Sequence, residues 1–374
     1  MLLSVRDFDL LRLLRWCRCV YPSDLKAVFS ESEILNLVGA GLMKLHSGSA
    51  SLILTGKGQH LLNEEYGNDI PNMAPSYREI DIARRVRTAR LILTAYHAGL
   101  QVFTTDMEAL TIGSALFLPS LTRARGRNLW GNSRIAAVGR VGDLICGFHN
   151  IGSDAGKIIP ADELRAFSAN TSGVGGNPVM IFSGTGYREI LAELEAAAPD
   201  TGNRLVRYGE AYRRMPVPVH LLACDETGAM QLKIMSEPDY RNRLTRAALR
   251  GQYRPPPDGL DCDALFDGIP FLMAADMDLR RSDAAVEAAY SQGYSQIAMA
   301  ALEAQTKSIL DARYGDTGKA RIFMLTESAL TEFFGCPPAL YAPPDEAYPT
   351  KKGDVLYAPL IRAHRGPFPD SCKK

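Results

Sequence analysis

Residues 37–62 read LVGAGLMKLHSGSASLILTGKGQHLL. Gly39 and Gly41 stop the helix that precedes them, because glycine takes the left-handed turn that ends helices without a steric penalty. Leu42 to Leu45 and Ser51 to Leu54 then read as two short strands around the turn His46-Ser47-Gly48-Ser49. Thr55-Gly56-Lys57-Gly58 opens a further helix. Upstream, Ser30 and Glu33 have the spacing of a capping box, in which each side chain satisfies the other's backbone N–H. Ile34, Leu35, Leu37 and Val38 follow, and Leu37 is expected in the core. Ser4 caps an earlier helix whose apolar face is Val5, Phe8, Leu11 and Leu14. Tyr21-Pro22-Ser23 breaks that helix, and Asp24 to Phe29 supplies a short one between. Three helices, a hairpin and a helix over residues 4–66 is the order of a winged helix-turn-helix, expected to span residues 1–67.

Beyond it, residues 68–77 carry Asn68, Asp69, Pro71 and Pro75 and read as a linker. Residues 78–254 are expected to form a mixed α/β domain. It begins with a helix over 79–98, followed by a hairpin of Arg134–Val141 and Asp143–His149. A helix at Asp162–Phe167 comes next, then the strand Val179–Phe182 and a helix from Tyr187. A second hairpin is expected from Val219–Cys224 and Met230–Met235, around Asp225-Glu226-Thr227-Gly228. The break Pro255-Pro256-Pro257-Asp258-Gly259 introduces a C-terminal α/β region, residues 260–374, whose role is not legible. There Phe271–Ala275 and Arg321–Leu325 read as strands and 283–313 as alanine-rich helix. The fold class expected is α+β, a winged helix-turn-helix followed by one or two mixed α/β domains. No internal repeat is visible.

The composition, 46% apolar and 22% charged, is that of a globular protein rather than a disordered or membrane chain. No stretch approaches the length needed to span a bilayer, and Arg6, Asp7, Asp9, Arg12 and Arg15 interrupt any signal-peptide core. The 7 cysteines are scattered without a CxxC, which argues against a disulfide framework and for a reducing, cytoplasmic setting. Neither zinc nor any cofactor is expected, since the histidines never fall at ligand spacing. The formal net charge of +0 leaves the distribution of charge, not its sum, to indicate a partner.

That distribution is uneven. Between Arg78 and Arg140 there are ten arginines against four acids. Arg84 and Arg87 lie on the helix over 79–98. Arg123, Arg125 and Arg127 alternate with small residues beside Trp130, a pattern suited to a loop that lays guanidinium groups along phosphates. The third helix, in contrast, carries Glu31 and Glu33 and no basic residue, leaving Asn36 as its one base-reading side chain. Lys26, Lys44, His46 and Lys57 could reach a DNA backbone from the second helix, the wing and the exit helix. Two acidic arrangements compete for a different chemistry. Asp276 and Asp278, two apart at a strand end, could share a divalent ion on one face, or be salt-bridged to Arg280 or Arg281. Asp225 with Gln231 and Lys233 has the outline of a restriction-type site, but Gln231 stands where an acid is needed. Ser183-Gly184-Thr185-Gly186 lies between a strand and a helix, the right place for an anion loop, but lacks the lysine of a nucleotide site.

The segments Asp7-Phe8-Asp9-Leu10-Leu11, Val38-Gly39-Ala40-Gly41-Leu42 and Leu54-Thr55-Gly56-Lys57-Gly58 resemble the winged-helix "replication-relaxation" proteins of Gram-positive plasmids and conjugative elements. Ser133-Arg134, Gly147 to Gly152 and Val179 to Phe182 look like a companion domain of such proteins. The resemblance covers about half the chain and carries over no catalytic residue. It implies a role in replication, mobilisation or maintenance of a mobile element. The expected function is a DNA-binding accessory protein with double-stranded DNA, and other replication or mobilisation proteins, as partners, acting as a homodimer and away from membranes. The alternatives are a metal-dependent nuclease or nicking enzyme using Asp276 and Asp278, and an interaction scaffold or transcription regulator whose winged helix does not read DNA.

Overall fold

A computed structural model describes residues 2–46, 48–67, 70, 78–152, 160–195 and 215–356. They form a mixed α and β protein in two compact units. One unit comprises the described residues of Met1–Met107, Leu116–Leu129 and Tyr341–Lys374, the other those of Glu108–Ala115 and Trp130–Leu340. Among the described residues no helix is long and apolar enough to cross a membrane.

The first unit opens with α1 (Val5–Cys17), α2 (Pro22–Leu25), α3 (Glu31–Gly39), the strands β1 (Met43–Leu45) and β2 (Leu52–Leu54), and α4 (Gly56–Tyr66). The expected capping box of Ser30 with Glu33 is present, and the Ser4 cap forms a second one with Asp7. The second helix starts earlier than Asp24, because Pro22 fits the first helical turn, where no N–H bond is lost. β1 and β2 pair antiparallel, with Met43 opposite Leu54. Thr55 caps α4 by accepting from Gly58 N at 3.1 Å. A Cβ at Gly58 would lie 2.1 Å from Leu42 O, so only glycine permits this close turn. Phe8, Leu11, Leu14, Leu25, Ile34, Leu37 and Leu62 form a fully buried core.

The helix α5 (Glu79–His97) belongs to this unit. Arg90 Nε donates to Asp24 at 3.1 Å and Tyr96 Oη to Asp9 at 2.7 Å, tying α5 to α2 and α1. β3 (Gln101–Thr104) follows; the chain then passes through α6 (Ala109–Ile112), which lies in the second unit, to β4 (Ala115–Phe117) and α7 (Pro119–Ala124). Residues 341–356 return to α1, where Tyr348 stacks on Phe8 with ring centroids 3.6 Å apart. The compact units therefore do not follow the linear boundaries 1–67, 78–254 and 260–374 expected from the sequence.

The second unit holds two successive blocks of the same design. The first is β5 (Ala137–Val141), β6 (Leu144–Asn150), α8 (Pro160–Thr171), β7 (Asn177–Gly184), α9 (Tyr187–Glu195), β8 (Val219–Ala223) and α10 (Glu226–Met235). After α11 (Tyr240–Leu249) comes the second block: β9 (Ala264–Phe266), β10 (Ile269–Met273), α12 (Leu279–Ser291), β11 (Ile297–Ala301), α13 (Glu303–Gln305), the π-helix Thr306–Gly315, β12 (Ala320–Met324) and α14 (Glu327–Phe334). In each block an antiparallel hairpin is followed by two further strands, each parallel to its predecessor. The strands lie side by side in chain order, β5-β6-β7-β8 and β9-β10-β11-β12.

Two expected elements are corrected. Met230–Met235 is helix, not the return strand of a hairpin, because Asp225 caps it by accepting from Gly228 N at 2.9 Å. Ile297–Ala301 is a strand within the expected alanine-rich helix. It is buried along its whole length between β10 and β12, where small side chains suit a strand covered on both faces.

Candidate nucleic-acid interface

Of the residues expected to meet DNA, several are engaged within the first unit. Lys57 Nζ donates to Ala40 O at 3.0 Å, holding the end of α3. His46 Nδ1 lies 2.9 Å from Ser49 Oγ within the hairpin turn. Lys26 pairs with Glu31 at 3.3 Å. Glu33, an acid of the helix that carries no basic residue, accepts from Arg6 Nε at 2.5 Å and, as its capping box requires, from Ser30 N at 2.6 Å. Burial would raise its carboxyl, but the hydrogen bonds of Arg6 and Ser30 outweigh this and lower it. Asn36 and Lys44 are exposed, one on α3 and one on β1.

The hairpin does not stand apart from the arginine-bearing helix. Cys19, Ile53, Ile82 and Val86 form a small buried cluster that joins β2, α5 and the segment leaving α1. Val20 reinforces it by pairing antiparallel with Leu52. Arg84 and Arg87 lie one turn apart on α5, beside Val86 of this cluster. Asp81 takes Arg78 at 2.8 Å and Arg84 at 3.5 Å. Burial, reinforced by the like charges of Arg85 and Arg84, lowers the pKa of Arg18. Arg18 and Arg85 thus join Arg84 in a cationic cluster beside the hairpin strand. Sequence reasoning left Arg18 out. Its signal is the alternation Cys17-Arg18-Cys19, in which both cysteines are buried and the arginine between them is half-buried.

Arg123, Arg125 and Arg127 are all exposed. They do not form one loop, however: Arg123 lies in the last turn of α7 and Arg125 at its C-cap, where its Nη1 donates to Thr105 O at 2.9 Å. Trp130 is buried in the second unit.

The acidic pair has a different geometry from that expected. Asp276 and Asp278 lie in the turn after β10, and Met277 between them has φ of 55°, so they do not share a strand face. Asp276 is 2% exposed, and its Oδ2 accepts from Tyr240 Oη at 2.7 Å and from Arg241 Nε at 2.8 Å. Burial alone would raise the Asp276 carboxyl, but the charges of Arg241 and His220 and the Tyr240 hydrogen bond hold it well below the usual range. Asp278 caps α12, accepting from Arg281 N at 3.0 Å. The expected side-chain pairing with Arg280 or Arg281 gives way to Arg241, because Arg281 closes on Asp263 at 2.9 Å. A carboxylate held this way is a poor metal ligand, since its charge is already matched. Gln231 and Lys233 both lie on α10, two residues apart and so on different faces. Gln231 is buried and donates to Leu221 O at 2.8 Å and Asp276 O at 2.9 Å, while Lys233 donates to Ala339 O. Among the described residues no three His, Cys, Asp or Glu side chains gather as metal ligands would.

No family model, curated protein or solved structure matches the chain.

Proposed function

We propose that the first unit contains a winged helix-turn-helix that binds duplex DNA, and that the chain acts as an accessory protein in replication, mobilisation or maintenance of a plasmid or conjugative element. The hairpin and α5 make the contacts in this reading, rather than α3. The observation that supports it is the shared core of Cys19, Ile53, Ile82 and Val86, which sets the hairpin strand beside a helix bearing Arg84, Arg85 and Arg87. Arginine is suited to this role because its planar fork matches phosphate oxygens and stays charged at any physiological pH. With Asn36 and Ser32 as the exposed polar side chains of α3, binding is expected to be governed by the DNA backbone more than by base sequence.

The test is a duplex-binding titration at several salt concentrations. Each phosphate contact contributes about 0.9 to the slope of log K against log salt, through release of a condensed counterion. Replacing Arg18, Arg84 and Arg85 by alanine is expected to make the slope shallower by about two to three. Replacing Arg123, Arg125 and Arg127 measures the α7 segment separately. Absence of salt-dependent duplex binding by the unaltered protein, or slopes unchanged in both variants, rejects the reading.

A further inference from the structure

The two blocks of the second unit correspond rung by rung. Ala137 pairs with Phe148, Phe148 with Ile181 and Ile181 with His220. Ala264 pairs with Phe271, Phe271 with Ala298 and Ala298 with Arg321 in the same order and directions. Backbone bonds at the strand ends repeat as well. Ile151 N donates to Ser183 O at 2.7 Å where Ala274 N donates to Ala300 O at 2.8 Å, and Cys224 N to Gly184 O at 2.7 Å where Leu325 N donates to Ala301 O at 2.8 Å. Two residues beyond each last rung, Asp225 and Thr326 cap the next helix in the same way. This correspondence makes β12 the counterpart of β8, and Ile322 that of Leu221.

The two strands differ in what lies along their outer edge. All five residues of β8 are buried, and the edge is covered by the turn after β10: Leu221 N donates to Met277 O at 3.1 Å, and His220 pairs antiparallel with Asp278. On β12, Phe323 is 37% exposed and Met324 54%. Because Leu325 N points to β11, the N–H and C=O groups of Ala320, Ile322 and Met324 point outward. Among the described residues no backbone group pairs with Ile322 or Met324 on that side.

We propose that β12 is a dimerisation edge, pairing antiparallel about Ile322 with β12 of a second copy of this chain. This does not rest on the DNA-binding reading. The counterpart edge already accepts an antiparallel segment of this chain, so the geometry suits extended chain in that direction. The strand is also self-complementary. Centring on Ile322 sets Arg321 opposite Phe323 and Ala320 opposite Met324, so no like charges face each other and a guanidinium meets a ring, as Arg321 and Phe323 already do within one chain at 5.9 Å. The strand carries no proline or acid, and its one charge, Arg321, faces a ring in this pairing rather than guarding the edge as charges do on edges that stay unpaired. Pairing about a twofold axis covers both edges at once and closes the assembly.

Sedimentation of the full chain across a dilution series tests this. A monomer–dimer equilibrium is expected, with amide exchange at residues 320–324 slowing as the dimer forms. Met324→Lys is expected to weaken the dimer by about tenfold or more, by adding a charge where the strands meet. Ile322→Pro removes a central outward donor and is expected to abolish the dimer. Circular dichroism checks folding, and Met324→Lys keeps the test intact where the proline variant fails to fold. A monomer at every concentration overturns the proposal, as does a dimer of unaltered affinity in folded Met324→Lys.

Discussion

In the second unit Arg241 closes on Asp276 at 2.5 Å and Arg281 on Asp263 at 2.9 Å, both acid side chains buried. In the first, Arg6 and Arg90 likewise close on Glu33 and Asp24, but Asp81 takes both Arg78 and Arg84, and Arg18 feels the like charges of Arg84 and Arg85. The difference separates two uses of the same side chain. An arginine matched to a buried acid is part of the fold, and removing either partner strands the other in low dielectric. Arginines gathered with one another add self-repulsion to the folded state, which falls when an external anion such as phosphate arrives.

Asp276→Ala is the sharpest way to break this distinction. It strands Arg241 and the Tyr240 hydroxyl, and should lower the stability of the second unit by about 3 kcal/mol in chemical denaturation. The proposed DNA binding, measured below the transition, should not change. The sign with pH follows from the lowered pKa of Asp276: its stabilisation is present above the ordinary aspartate range and is lost as strong acid protonates the folded carboxylate. An Asp276→Ala protein of unaltered stability means that the carboxylate is not a structural element, and reopens its use as a metal ligand.

His149 sharpens the comparison from the other side, as a titratable group with a neutral role in the fold. It is fully buried on β6, edge-on to Phe182 at 5.7 Å between ring centroids, and burial pushes its pKa down from 6.5 to about 4. Its neutral form is favoured in the folded state, so stability is unaffected above pH 6.5 and falls as pH drops from there towards 4. The loss should reach about 3 kcal/mol, at about 1.4 kcal/mol for each pH unit in that window. Urea titrations at several pH values should show this dependence in the parent and a flatter profile in His149→Phe.

What the sequence made legible was local. Ser30 and Glu33, Gly41 with its φ of 70°, and the Thr55–Gly58 turn encode their structure within a few residues, and the elements around them follow, although Gly39 is still helical. Met230 to Met235 misled because its apolar residues alternate with Gln231 and Lys233, and because Asp225-Glu226-Thr227-Gly228 suits a hairpin turn and a helix cap equally. Ile297–Ala301 gave no alternation to read, since a strand buried on both faces has none. The repeated blocks escaped notice because backbone bonds preserve their register while few side chains match; Ala137 with Ala264 and Phe148 with Phe271 are among those that do. The cationic cluster was legible only in part: Arg84, Arg85 and Arg87 share a helix, but nothing in the order of residues brings Arg18 to them.

The smallest effect expected tests the acid that the sequence set against DNA. Glu33 contributes two separable things: its carboxylate oxygen satisfies Ser30 N at the start of α3, and its charge pairs with Arg6. Glu33→Gln retains an oxygen that can accept from Ser30 N while removing the charge, so it isolates the ion pair. The carboxylate is 24% exposed, so solvent screens the pair and the expected loss is below about 1 kcal/mol. Glu33→Ala also removes the box and should cost about 1 kcal/mol more. Because the folded carboxyl has a lowered pKa, the parent should lose this margin in acid, and both variants should lose less than the parent. The duplex-binding salt slope should be the same in Glu33→Gln as in the parent, because the acid already faces Arg6. A markedly stronger affinity in that variant would mean that the Glu33 carboxylate faces phosphate in the complex, and would return α3 to the interface.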